Sequence, residues 1–201
     1  MLPILLDLKK LRVALVGNGE AALRRLALLD ADGAEHVRVY GEAPSAALAE
    51  AAGERLRRAM PSTVELAKAQ IVFAADLPES RLLALAATVR TLGTLLHVED
   101  RPELGALHAP SILRRGDLVV AVSTNGRSPA LARRVKRFLE GVLGDEWQDR
   151  LDALGALRVR WREAGAGAAE ISRWTDEWVD RQRWLGEADA PRPEIPLSQA
   201  G

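Results

Sequence analysis

The stretch that decides the fold is residues 13–25, VALVGNGEAALRR. It opens with apolar, partly β-branched residues (Val13, Leu15, Val16), the pattern of a short buried strand. Gly17-Asn18-Gly19 turns the chain, and Glu20 to Leu29 favour helix. Glycines at such a turn allow backbone conformations closed to other residues and let a ligand come close. The N–H groups that open the helix favour an anion, usually a phosphate. Residues 17–22 fit G-x-G-x-x-A, the dinucleotide fingerprint with alanine in the last place. The competing reading is a tight turn that only packs helix on sheet. The placement, after a strand and at the start of a helix, favours the ligand.

Working outward, strands and helices alternate. Leu11–Val16 reads as a buried strand, and Glu20–Asp32 as a helix ended by Gly33. His36–Tyr40 is an alternating strand, Ser45–Ala59 an alanine-rich helix and Thr63–Leu66 a further strand candidate. Ile71–Ala75 reads as a buried strand, Glu79–Leu92 as a helix and Thr94–Val98 as a strand. Such alternation predicts a parallel α/β sheet with right-handed crossovers, a Rossmann-like half. After Asp100 the character changes. Ser111–Arg114 and Asp117–Ser123 read as strands joined by Arg115-Gly116, followed by a helix from Pro129 to about Leu143, with Ser128 at its N-cap. From Asp145 the chain reads as helical, broken near Gly165–Gly167. The expected fold is therefore a Rossmann-like parallel sheet (1–110), a small α+β region (111–144) and a helical C-terminal part (145–187). The tail 188–201, with three prolines, reads as disordered. All five tryptophans lie from Trp147 onward; Trp174 and Trp178 share a helix face, which favours packing over a cofactor box.

Composition narrows the function. No apolar run approaches the ~20 residues of a bilayer span. MLPILLDLKK lacks the order of a signal peptide, so a cytoplasmic location is expected. The absence of cysteine excludes disulfides, thiolate catalysis, iron–sulfur clusters and cysteine zinc sites. A formal net charge of zero argues against non-specific nucleic-acid binding. Locally, Arg114, Arg115, Arg127, Arg133, Arg134, Lys136 and Arg137 face a single acid, Asp117, between residues 114 and 137. Each arginine alone reads as a solvated helix face; the cluster suits a polyanionic partner. Glu42, two residues after Tyr40, is placed to hydrogen-bond a ribose diol and repel a 2′-phosphate, which favours NAD over NADP. No arginine stands at that strand end, Arg38 lying inside the strand.

Four pieces of the chain together resemble one family. They are LPILLDLKKLRVALVGNGEAALRR (2–25), IVFAAD (71–76), LHVEDRPELGALHAPSIL (96–113) and LVVAVSTNGRSPALARRVK (118–136). Their order and content are similar to the precorrin-2 dehydrogenase/sirohydrochlorin ferrochelatase family, the N-terminal module of siroheme synthase. The last piece is the most specific, of the form V-A-[VI]-S-[ST]-x-G-x-S-P-x-[LA]-A-R. The resemblance covers about residues 2–145 and implies a homodimer that oxidises precorrin-2 to sirohydrochlorin with NAD. In many members ferrous iron is then inserted, to give siroheme.

The resemblance further implies that Gly17, Asn18, Gly19, Glu20 and Ala21 line the pyrophosphate, and that Glu42 and Ala43 line the adenosine ribose. It places the key aspartate at Asp100 and a phosphorylatable serine position at Thr124. Three positions depart from the pattern. Asn18 fills the middle of the turn, where asparagine tolerates left-handed backbone. Asp76 replaces a threonine and falls near the nicotinamide ribose or the phosphates; His97 replaces an asparagine and reads as metal ligand, base or buried structural histidine. A polycarboxylate macrocycle calls for forked guanidinium donors, for which Arg101, Arg114, Arg127 and Arg133 are the candidates. Asn125 and Gly126 open another helix, a second carboxylate site. No stable metal cage is expected, so iron would be a passing substrate held by Asp100 with His97 or His108. No membrane and no nucleic acid are expected as partners, and, without the methyltransferase domain that larger siroheme synthases carry, the chain is not expected to make precorrin-2 itself. Rival readings are a non-catalytic NAD-binding regulatory module, with the basic patch as partner surface, and a chelatase that kept the fold and lost NAD.

Overall fold

The computed structural model describes residues 2–185, so the expected tail 188–201 lies outside the described residues. They form two units: residues up to Pro110 together with Ser123–Pro129, and Ser111–Val122 together with the described residues from Ala130 onward.

The first unit is a five-stranded parallel sheet: β1 (Arg12–Gly17), β2 (His36–Tyr40), β3 (Leu56–Arg57), β4 (Ile71–Ala75) and β5 (Leu95–Val98), in the order β3-β2-β1-β4-β5. The connecting helices are α1 (Glu20–Ala31), α2 (Ala46–Ala52), α3 (Thr63–Lys68) and α4 (Glu79–Leu92). Strand alternation divides the core between the two faces. Val13, Leu15, Ile71 and Phe73 pack with Leu26 of α1 and Leu48 of α2. Ala14, Val16, Val72 and Ala74 pack with Leu66 of α3 and with Leu82, Leu85 and Val89 of α4. Both faces being covered, β1 and β4 read as nearly continuous apolar runs. The N-terminal lead contributes Leu6, Leu8 and Leu11 to the α1/α2 side.

Two expected elements differ. The alanine-rich helix stops at Ala52, because Gly53 takes φ +52°, and the chain runs through a 3-10 turn into β3. Thr63–Leu66 is not a strand but the start of α3. Ser62 Oγ accepts from Glu65 N, and Glu65 Oε2 accepts from Ser62 N at 2.8 Å. This reciprocal cap fixes a helix start that outweighs the β tendency of Thr63 and Val64.

In the second unit β6 (Ser111–Arg115) and β7 (Leu118–Val122) form an antiparallel hairpin, turning at Gly116 with φ +57°. The helices α5 (Pro129–Val142), α6 (Glu146–Glu163) and α7 (Ala168–Gln182) complete it. Arg115 joins hairpin to helices: its Nε donates to Leu143 O at 2.9 Å and lies 3.3 Å from Asp145 Oδ1. The tryptophans staple α6 to α7. Trp161 and Trp174 meet edge to face at 5.6 Å, Trp147 and Trp184 at 6.2 Å, and Arg150 lies over both Trp147 and Trp184. Among the described residues no helix is long and apolar enough to cross a membrane.

The sheet predicts one strict position. A Cβ on Gly17 would run into the Ala75 carbonyl oxygen and lie 2.8 Å from Ala22 Cβ, against strand backbone that cannot yield. Gly17→Ala should therefore destabilise the chain by about 1–3 kcal/mol, the range for overpacking, measured by denaturant unfolding.

Candidate dinucleotide site

The glycine turn lies at the carboxyl end of β1, where open α/β sheets take their ligands. Neither Gly17 nor Gly19 adopts positive φ, and neither does Asn18. The turn needs glycine for close approach, not for left-handed backbone. Gly17 is pressed between β4 and α1, and a Cβ on Gly19 would lie 2.8 Å from Asp76 Oδ2. Asn18 earns its place through its side chain instead. Its Oδ1 accepts from Ala43 N at 3.0 Å, and its carbonyl accepts from Ser45 N at 2.7 Å. Asn18 thereby ties the glycine turn to the loop after β2 that carries Glu42 and Ala43. Gly41 makes the tie possible, since a Cβ there would stand 2.8 Å from Asn18 Oδ1.

Helix α1 starts at Glu20 behind Gly19, which offers no side chain as a cap. Asp76, following β4, supplies one: its Oδ2 accepts from Ala22 N at 3.0 Å. The N–H groups of Glu20 and Ala21 precede that bond in the first turn. Open N–H groups beside a glycine face fit the pyrophosphate of a dinucleotide, with Asp76 at their border. Glu42 accepts from Arg81 Nη2 of α4 at 2.8 Å. The expectation of no arginine near that strand end therefore fails in space: Arg81 comes from α4, 39 residues on.

Asp100 lies two residues past the end of β5, exposed, with φ +59°. That conformation is uncommon for a residue other than glycine, aspartate or asparagine. Beneath it lies a network the sequence reading did not contain. Arg25 of α1 donates to Glu99 Oε2 at 2.7 Å and covers the Phe73 ring at 5.2 Å. His97 lies 12% exposed; its Nδ1 is 3.0 Å from Leu107 O, and its Nε2 is 3.2 Å from Arg25 Nη2 and 3.5 Å from Glu99 Oε2. With Nδ1 donating to Leu107, a neutral ring accepts from Arg25 and an imidazolium donates to Glu99. Among the metal-ligand, base and structural readings, these partners are those of a half-buried structural histidine. A signal for Arg25 existed: it lies on the α1 stripe of Ala22, Leu26 and Leu29, where a charge calls for a partner.

The substrate candidates separate. Arg101 engages Glu79 through Nη1 at 2.8 Å and Glu103 through Nε at 2.5 Å. Thr124–Arg127 form a tight turn: Thr124 O accepts from Arg127 N at 3.0 Å and Thr124 Oγ1 from Ser128 N at 3.0 Å. Asn125 and Gly126 carry positive φ, +54° and +79°. Arg114 lies on β6 opposite Val119, and Arg127 and Arg133 are exposed. His108 lies half-buried in the segment between β5 and β6.

A parallel sheet with a glycine turn after its first strand, opening a helix, is the architecture of dinucleotide-binding folds. The family model described as "Putative NAD(P)-binding" matches residues 4–111, and the model of the sirohaem biosynthesis protein central region matches 115–141. The chain is 32% identical to the siroheme synthase of Methylococcus capsulatus over 81% of its length and 35% of that protein. It is 33% identical to siroheme synthase 1 of Pectobacterium atrosepticum over its whole length and 47% of that protein. It therefore spans between a third and a half of these relatives. Among solved structures, "SirC, precorrin-2 dehydrogenase" aligns with a TM-score of 0.71 at 25% identity, covering 93% of this chain and 94% of that one. The chain belongs to the NAD(P)-binding family that the first model describes, and it is similar over most of its own length to siroheme synthases and to a precorrin-2 dehydrogenase.

The network under Asp100 makes stability depend on pH. The hydrogen bond from the His97 ring, and after it the Arg25 guanidinium, hold the Glu99 carboxyl at about 2, below its ordinary 4.5, against the opposing effect of burial. A carboxylate depressed in this way stabilises the fold fully above the unfolded value of 4.5, and that stabilisation drains as pH falls toward 2. Glu99→Gln should lower stability at pH 7 and flatten its decline between pH 5 and 2, read from denaturant unfolding at several pH values.

Proposed function

We propose that the chain is an NAD-dependent dehydrogenase that oxidises precorrin-2 to sirohydrochlorin as a homodimer, with ferrous iron insertion as a second step. The reading is carried by the end-to-end alignment with a solved precorrin-2 dehydrogenase, which spans both the sheet and the C-terminal helices. The oxidation removes a hydride and a proton from the macrocycle. A bound nicotinamide cofactor would supply the hydride acceptor. This chain's residues do the rest. Gly17, Gly19 and the N–H groups of Glu20 and Ala21 hold the pyrophosphate, and Asn18 fixes the loop of Glu42 and Ala43 at the adenosine ribose. Glu42 accepts from the ribose hydroxyls, and this carboxylate alone supports NAD over NADP, since the neighbouring Arg81 is a guanidinium that a 2′-phosphate could use. Arg81 holds that carboxylate in place.

Asp100 is the proposed base. It stands beyond the carboxyl end of β5, exposed to an incoming substrate and braced from below through Glu99. A carboxylate there takes the proton released by oxidation, and the same group can take pyrrole protons as ferrous iron, a substrate, enters the ring. Arg114, Arg127, Arg133 and the Thr124–Gly126 turn are each candidates to receive a substrate carboxylate; Arg101 is another, by exchanging Glu79 or Glu103 for it.

Helix α5 supports the homodimer. Val135, Phe138 and Val142 repeat along one face and are 36%, 70% and 57% exposed, an apolar stripe suited to a second copy.

Three experiments test this. In an anaerobic assay with precorrin-2 and NAD, NADH and sirohydrochlorin should rise together, and ferrous iron should then convert the product. Asp100→Asn tolerates the same backbone, so it should keep NAD binding while turnover falls about 10²–10⁴-fold, the usual worth of a general base. Full turnover in that variant removes Asp100 from the role. Separately, Phe138→Glu with Val142→Glu should shift the dimer to monomer in light scattering behind size exclusion.

A further inference from the structure

We infer that Asp76 is a resident anion of the dinucleotide's phosphate site, so that the cofactor binds this chain in competition with the protein's own carboxylate. The inference rests on the dehydrogenase reading above.

Three observations carry it. First, Asp76 Oδ2 accepts from Ala22 N at 3.0 Å, within the first turn of α1, whose N–H groups and positive dipole end attract anions. Second, the carboxylate lies against the bare face of Gly19. A Cβ there would stand 2.8 Å from Oδ2 and 2.9 Å from Cγ, so the space left open by the glycine is already bordered by negative charge. Third, Asp76 stands at φ +54°, a left-handed conformation that aspartate adopts, and it is exposed. An exposed carboxylate can swing into water when another anion arrives.

A pyrophosphate at Glu20 and Ala21 would meet this carboxylate at close range, and like charges a few ångströms apart repel even in water. Asp76 thus stabilises the empty turn and weakens the filled one. Removing its charge while keeping its acceptor oxygen should strengthen cofactor binding. The alternative, a carboxylate that accepts from the nicotinamide ribose, has the opposite sign.

The test is calorimetric titration of the full chain with NAD and with ADP-ribose, for the natural protein, Asp76→Asn and Asp76→Ser. The asparagine oxygen can still accept from Ala22 N; the shorter serine provides a second variant if the first unfolds, with thermal midpoints checking both. Dissociation constants should fall about tenfold in the variants, equivalent to about 1.4 kcal/mol. The gain should shrink at high salt, because exposed charges are screened. Equal or weaker binding by both folded variants overturns the inference and leaves the dehydrogenase reading standing. Failure of every form to bind either ligand overturns both.

Discussion

The close approach of β4 to the end of β1 and the start of α1 governs this molecule. Gly17 sits where the Ala75 carbonyl and the Ala22 methyl leave no room for a side chain. That one contact sets how near α1 lies to the sheet. It fixes where the first N–H groups of α1 emerge and brings Asp76, the residue after Ala75, against Gly19. Had Gly17 been alanine, the strands would have to separate or the helix to lift, and the phosphate turn would lose its shape.

A second constraint builds on the first. With α1 pressed against the sheet, Arg25 on its inner face reaches Phe73 of β4 and Glu99 beyond β5. A guanidinium so nearly covered calls for a carboxylate partner, and the half-exposed Glu99 supplies it. The pair, with His97 held by Leu107 O, pins the strand end just before Asp100. The proposed base thus stands on a charged strut anchored in the helix that would carry the cofactor's phosphates. The glycine turn and the proposed base thus share one support, Arg25 of α1 meeting Glu99 next to Asp100.

The adenosine end follows the same logic with weaker forces. Asn18 couples the glycine turn to the loop after β2 by one side-chain and one backbone hydrogen bond. Arg81 holds Glu42 through an exposed ion pair of small energetic worth. The pair matters for orientation, since it holds the carboxylate that would read the ribose.

The sequence by itself determined the parallel sheet, because alternating apolar runs and helical stripes leave few ways to bury both faces. It also determined the glycine turn and the position of Asp100 after a strand, since both are local patterns. It did not determine the ends of short elements: Gly53 cut α2 short, and the Ser62–Glu65 cap made a helix of residues that favour strands. Only the tertiary structure decided why the glycines are needed, which is crowding by Ala75 and Asp76 and not left-handed backbone. It alone paired Glu42 with Arg81, Arg25 with Glu99, and Asp76 with Ala22. These partners lie tens of residues apart in the chain. Periodicity records which face a residue occupies, but only packing of the whole sheet records what it meets there.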